Sequence, residues 1–335
     1  MKFGPVAVPE AGGALLAHSV KLEKSKFKKG LRLEPHHLEQ LVAAGIEEVI
    51  VARPDPDDLH ENEAAGRLAA ALVPDPEAVG LRLTAPFTGR VNVVASGPGV
   101  ACLEVAALER FNRVDPMITI ATVPPFQQMA PGGMVATIKV ISFAVLEQQV
   151  SQACAAARGA LRLARPVYET ASLIITQVPG GPGEEKGRRA IEDRLKALEI
   201  QLVDCVSVAH RGTDLVAAMA AAKGQMVLVL TGSATMDIDD VAPLALRQAG
   251  GRVERFGMPV DPGNLLFLGD LAGRPVIGLP GCARSPALNG ADWVLSRVAC
   301  GLEVTGDDIA AMGVGGLLKE IPTRPQPRAG RKAGS

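Results

Sequence analysis

Aromatic residues are scarce: Phe, Tyr and Trp make up 3% of the 335 residues, with a single Trp293 and a single Tyr168. The stacking platforms that hold single-stranded nucleic acid need several such rings, so that class of binding is excluded. Positive charge is not in excess either, since 35 Lys and Arg face 36 Asp and Glu for a formal net charge of −1. Bulk electrostatic attraction to nucleic acid is thereby removed. The five cysteines, Cys102, Cys154, Cys205, Cys282 and Cys300, are an odd, scattered set without a C-x-x-C pair. They supply no half-site for zinc and fit a reducing compartment. No run reaches the roughly 18 apolar residues of a membrane span, and the opening MKFGPVAVPEAGG lacks the apolar block of a secretory signal. No G-x-G-x-x-G falls between a strand and a helix, which sets aside nicotinamide and flavin oxidoreductases. The expectation is a soluble, cytoplasmic protein that binds neither nucleic acid nor membrane.

Apolar side chains are plentiful, with 47% hydrophobic residues, enough for two cores at about 150 residues per domain. Residues 1–79 read as an α+β segment. ALLAHSVKL alternates as a strand, KSKFKKG turns, EPHHLEQLVAAG carries helical spacing up to a left-handed cap at Gly45, and EEVIVA resumes as a strand. After Pro54 and Pro56 an Ala-rich helix is expected from near Leu59. Residues 80–165 read as a β-rich piece followed by the helix QQVSQACAAARGALRLA. From 166 to 305 strands and helices alternate: ASLIITQV, KGRRAIEDRLKALE, IQLVDCVSVA, TDLVAAMAAAK with Thr213 as its cap, QMVLVLTG and DDVAPLALRQAGG. Strands apolar on both faces and joined by helices predict an α/β fold, a doubly wound and mostly parallel sheet with helices on both sides. Residues 306–335 form a C-terminal extension ending in a basic linker with Arg324, Arg328, Arg331 and Lys332.

The strongest chemical signal is VLVLTGSATMDIDDVAPLAL, residues 227–246. An apolar strand runs into Thr231, Gly232, Ser233, Ala234 and Thr235, and a helix opens at Asp239 and Asp240. Small residues admit a ligand close to the backbone, and amides before a helix attract an anion such as phosphate. Asp240, or Asp239 beside it, has the hard oxygen chemistry that holds Mg²⁺ against a phosphate. The same letters also describe a plain turn with an aspartate capping a helix. In FGMPVDPGNLLFLGDLAGRPVIGLPGCARSP, two turns, Pro262-Gly263 and Pro280-Gly281, flank a hairpin-like pair of apolar runs and are placed to wall a pocket, with Ser285 and Asn289 closing it. His210 follows a strand end, where sheets of this type place ligands. His36 and His37 are neighbours on a helix and are not expected to face one metal. Lys21, Lys24, Lys26, Lys28, Lys29 and Arg32 form a basic stretch suited to an anionic ligand or to solvent alone.

In their order, T-G-S-A-T, Asp240-Val241, Ala-Gly-Gly at 249–251, Pro262-Gly263 and L-P-G at 279–281 resemble the molybdopterin-binding domain shared by the molybdotransferases, such as MoeA and the gephyrin E-domain, and the Mog-type adenylyltransferases. The resemblance covers residues 168–302. GGALLAHSVKL with FKKGLRLEPHHLEQLVAAGIEEVIVA is similar to the opening molybdotransferase segment. GMPVDPGNLLFLG, GLPGCARSPALNGADWVL and MGVGGLLKEI resemble a bacterial subgroup in which such a region precedes a cytidylyltransferase-like domain. The resemblance implies a role in molybdenum cofactor biosynthesis: binding of molybdopterin or its adenylylated form, Mg²⁺-dependent molybdate insertion or adenylyl transfer, a homo-oligomer, and a cytidylyltransferase acting in trans.

The motifs also depart from that family. The Asp-Gly-Tyr-Ala segment is missing, and Gln177-Val178-Pro179-Gly180-Gly181 stands where Thr-Gly-Asp-Glu is usual, leaving Glu184 and Glu185 as the nearest acids. Ala209-His210 replaces Pro-Asp, and Cys282-Ala283 replaces Asn-Pro. If the chain is an enzyme, Asp239, Asp240, Glu184 and Glu185 are its candidate catalytic acids, with Asp240 the metal ligand. A non-catalytic pterin carrier is the alternative, and a nucleotide pyrophosphatase related to CinA proteins is a third.

Overall fold

The computed structural model describes residues 1–23 and 25–318. Lys24 of the basic stretch and the basic tail lie outside the described residues. The chain divides into two compact units, the first made of Met1–Ser96, Ala101–Pro125 and Gly132–Leu163, the second of Gly97–Val100, Phe126–Pro131 and the chain from Ala164.

In the first unit, strand Glu48–Arg53 lies between Lys2–Ala7 and Leu15–Leu16, antiparallel to both. Helix Pro35–Ala43 packs Leu41 into a core with Val8, Leu16, Phe27, Leu33, Val49 and Val51, and Gly45 adopts the expected left-handed turn, φ 74°. Strand Lys2–Ala7 escapes a sequence reading because it contains Gly4 and Pro5. Proline is tolerated there because the strand is at the sheet's edge. A four-stranded antiparallel sheet follows, in the order Ile118–Thr122, Met134–Val140, Arg90–Ala95, Leu81–Leu83. The β-rich expectation for this stretch overlooks helix Val105–Val114, which buries Leu108 and Phe111. The Ala-rich helix spans Glu61–Leu72 and starts two residues later than expected, with the His60 ring accepting from the Asn62 amide at 3.2 Å.

The second unit is built on a six-stranded sheet, labelled here in chain order: β1 Thr170–Gln177, β2 Gln201–Ala209, β3 Met226–Leu230, β4 Arg252–Phe256, β5 Phe267–Leu271 and β6 Arg274–Leu279. Its spatial order is β2-β1-β3-β6-β5-β4. The first four are mutually parallel, while β5 runs antiparallel to both its neighbours, β6 and β4. The helices are α1 Glu184–Lys196, α2 Gly212–Ala221, α3 Val241–Gln248, α4 Gly290–Ala299 and α5 Gly306–Ala311. Successive residues of a strand point to opposite faces. Leu228, Leu230, Ile277 and Leu279 therefore pack with Ile191 and Leu195 of α1 and Val294 and Leu295 of α4. Val227, Val229 and Val276 pack the other way, with Leu215 and Met219 of α2 and Ala245 and Leu246 of α3. The unbroken apolar runs of β1, β3 and β6 are explained by these two cores. Thr213 does not cap α2: the helix opens at Gly212, after Arg211, without a side-chain cap. Among the described residues no helix is long and apolar enough to cross a membrane.

Candidate functional site at the carboxyl edge of the parallel strands

The loop after β1 leads to α1 on one face, the loop after β3 to α3 on the other, and the loop after β6 back toward α4 on the first. Adjacent loops that part to opposite faces leave a crevice at the strands' carboxyl ends, where sheets of this kind take ligands.

Thr176, 1% exposed, links three strand ends at this edge. Its hydroxyl accepts the Gly232 amide at 2.8 Å and stands 2.8 Å from Nδ1 of His210. The His210 amide in turn donates to the Gln177 carbonyl at 3.0 Å. Gly232 is required where it stands, because a Cβ there would lie 2.5 Å from the Thr176 carbonyl oxygen.

Beyond Gly232 the loop is open. Thr231 and Thr235 are buried, while Ser233 and Ala234 are exposed. Among the described residues, no protein acceptor meets the backbone amides of Ser233, Ala234 and Thr235. The carboxylates expected nearby are already engaged. Asp240 caps α3, its oxygens accepting the Val241 amide at 2.7 Å and the Met236 amide at 2.9 Å. Asp239 is ion-paired with Arg247 at 2.5 Å. Glu184 accepts from Gln177 at 2.9 Å and from the Ser207 hydroxyl. Arg188 and Arg189 beside Glu185 hold its carboxyl down to about 2.

The segment after β6 is tightly built. Pro280 and Gly281 open a short 3-10 turn, Gly281–Arg284. The Pro262 carbonyl accepts the Gly290 amide at 2.8 Å, which ties the Pro262-Gly263 turn to the start of α4. Asn289 is fully buried and serves as the α4 cap, accepting from Ala291 at 2.9 Å and donating to the Ala287 carbonyl at 3.2 Å. Ser285 is partly exposed, its hydroxyl accepting the Ala287 amide at 3.3 Å. Arg194 of α1 clamps this stretch. It donates to the carbonyls of Ala283, Ser285 and Ala287 at 2.8–3.2 Å and to Asp292 at 2.5 Å.

Arg284, which the sequence does not single out, is buried beside α1, and its Nη2 donates to the Thr231 carbonyl at 3.0 Å. Nor does the sequence single out Thr176. The available signal in each case is a polar side chain within an otherwise apolar or small-residue stretch, at a strand's carboxyl end.

In the first unit, the helix start at Pro35 corrects the reading of His36 and His37. Their ring centroids are 3.8 Å apart, and potential ligand atoms of Glu34, His36 and His37 lie within 4.8 Å of one another. In a first turn no preceding turn blocks the rings from folding together. The cluster is nonetheless open, and Nδ1 of His37 accepts the Glu34 amide at 3.1 Å as part of the helix cap.

Taken by class, the second unit is a mixed α/β body with a ligand-accessible strand edge. Residues 5–53 match a domain of unknown function, DUF8806. No curated protein matches the chain. Among solved structures the chain is similar to the molybdopterin biosynthesis MoeA protein from Pyrococcus horikosii, with 14% identity and TM-score 0.32 over 89% of this chain and 75% of that one. It is also similar to a molybdenum cofactor biosynthesis protein from Pyrococcus furiosus, with 12% identity and TM-score 0.22 over 84% of this chain and 59% of that one. The CinA protein from Thermoplasma acidophilum, described as of unknown function, matches over 35% of this chain and 90% of its own, at 17% identity and TM-score 0.26.

Proposed function

We propose that the protein binds molybdopterin, or its adenylylated form, at the carboxyl edge of β1, β3 and β6, and serves molybdenum cofactor biosynthesis as a carrier. The observation that carries this reading is the 231–235 loop, which leaves a buried strand with three consecutive amides lacking protein acceptors. Such amides suit the phosphate of a pterin ligand. The order of the T-G-S-A-T, Pro-Gly and L-P-G motifs supports the choice of ligand. On this reading residues 166–305 are the pterin-binding domain and residues 1–79 a molybdotransferase-like segment. Ser233, Ala234 and Thr235 hold the phosphate, while Pro262, Gly263, Pro280 and Gly281 shape the wall.

Mg²⁺ binding needs carboxylate oxygens presented to the cation in octahedral geometry. Asp240 and Asp239 spend theirs on the α3 cap and on Arg247, and Glu184 and Glu185 are held by Ser207 and by two arginines. That donor set does not fit a resident cation.

The test is incubation of the purified protein with adenylylated molybdopterin, molybdate and Mg²⁺, with retained pterin and released AMP measured by chromatography. Retention without AMP release is expected. AMP release lost in Asp240→Asn would replace the carrier with a metal-dependent molybdotransferase, and absence of both signals would sink the pterin assignment. Ala234→Pro deletes a loop amide and is expected to weaken retention by about tenfold, with circular dichroism verifying the fold. A cytidylyltransferase is the partner proposed to receive the pterin, checked by co-elution.

A further inference from the structure

Burying a guanidinium is costly unless its donors are met, and a charge is normally buried with a counter-charge. Arg194 and Arg284 answer this requirement differently. Arg194 has Asp292 and four backbone carbonyls. Arg284 is 9% exposed and has one bond, to the Thr231 carbonyl. Its Nη1 is buried with no hydrogen-bond partner, and among the described residues no carboxylate pairs with it. Desolvation pushes its pKa below the ordinary arginine value.

The surrounding chain accommodates this side chain. Gly187 of α1 is the residue beside it, and a Cβ there would meet Nη1 at 2.8 Å and Leu230 at 2.7 Å. Arg284 lines a cavity of about 480 Å³ together with Glu185, Lys186, Arg189, Ala190, Asp193 and Pro286. Three cations face two carboxylates in that lining, and the pairing of Arg189 with Glu185 leaves Lys186 and Arg284 against Asp193. The cavity runs along the flank of α1 from Glu185 to Asp193. Arg284 thus borders this space beside Lys186, with one of its own donors still unmet.

We propose that this cavity is a subsite for a phosphomonoester, with Arg284 as its anchoring cation. The guanidinium fork matches the planar spread of two phosphate oxygens, and the anion supplies the counter-charge that the protein withholds. The inference deepens the ligand reading of the 231–235 loop and rests on it, because the Thr231 carbonyl already ties Arg284 to that loop. The phosphoryl group can belong to a pterin or to a nucleotide, and the probes below separate these sources.

The experiment is titration calorimetry of the full chain with inorganic phosphate, AMP and a pterin phosphomonoester, on the wild type, Arg284→Met and Arg284→Lys. Phosphate is expected to bind the wild type at millimolar or better affinity, and the tighter of the two esters names the source. Arg284→Met is expected to lose binding by about tenfold or more while its unprompted melting temperature stays level or rises, since an unpaired buried charge is removed. If Arg284→Met does not fold, Arg284→Lys keeps the charge without the fork and is expected to bind phosphate more weakly than the wild type. Equal binding by the variant that folds overturns the proposal, as does a wild type that takes none of the three probes. Failures are separable. Pterin ester bound equally by wild type and Arg284→Met removes the subsite and leaves the loop reading standing. Arg284-dependent phosphate binding to which the pterin adds nothing keeps the subsite and removes the pterin.

Discussion

The loops that leave the neighbouring strands β3 and β6 are held in opposite ways. Past Gly232 the loop is kept in shape up to Asp240 by short-range bonds, chiefly the Asp240 carboxylate on Met236 and Val241, and its amides from Ser233 to Thr235 meet no acceptor among the described residues. The 280–289 segment is fixed chiefly from outside itself, by Arg194 of α1 and Asp292 of α4, with its own buried Asn289 closing the end. A locally held loop can adapt to what it binds, whereas a clamped one offers a wall already in place. Preorganisation on one side and spare donors on the other make a workable division for a binding edge.

That division breaks most sharply at Arg194. Arg194→Ala leaves the largely buried Asp292 without its counter-charge and frees three carbonyls, so a loss of about 3–5 kcal/mol in urea unfolding is expected. A loss below 1 kcal/mol, on the order of a surface pair, would show that the clamp is not what fixes the segment. Gly232→Ala forces a methyl toward the Thr176 carbonyl and is expected to cost about 1–3 kcal/mol by the same measurement. Asp240→Ala removes only a cap, about 0.5–2 kcal/mol, and should increase amide exchange in 236–241 while leaving 283–287 unchanged. Equal exchange in both stretches would contradict the independence of the two loops.

The smallest effect is at Glu185. Its folded pKa lies below the unfolded value, so its contribution is present above the ordinary carboxylate range and is lost as pH falls toward about 2. Carboxyl chemical shifts followed by NMR should show Glu185 titrating below the other exposed glutamates. A midpoint at the ordinary value would mean that Arg188 and Arg189 do not hold it in solution.

How much the sequence discloses depends on whether the cause is local. The apolar runs of β1, β3 and β6 are legible because burial on both faces leaves no alternation. The hairpin of β5 and β6 is legible from its flanking Pro-Gly turns, and Gly45 from its place after a periodic helix. Helix Val105–Val114 is hidden by the strands around it and by a start at Glu104 that forms no side-chain cap. At the site, the 231–240 loop is readable because its chemistry is its own: Asp240 as cap is one of the two readings the letters offered. Arg284 is opaque because its burial depends on a missing side chain at Gly187 and on Thr231, residues of other elements. The joint position of His36 and His37 is equally unavailable from helical spacing, which assumes a preceding turn that their place at the helix start does not provide.

One consequence follows from strand β3. Its amides and carbonyls pair with β1 on one side and β6 on the other, and its side chains are divided between two cores. Hydrogen exchange there should require the largest opening in the second unit. Past Gly232, whose amide Thr176 still holds, the chain passes into three amides that meet no acceptor among the described residues. Protection should therefore fall from greatest to least within a few residues, so that a ligand on the 233–235 amides would register as slowed exchange at that tip while the strand behind it, already closed, reports nothing.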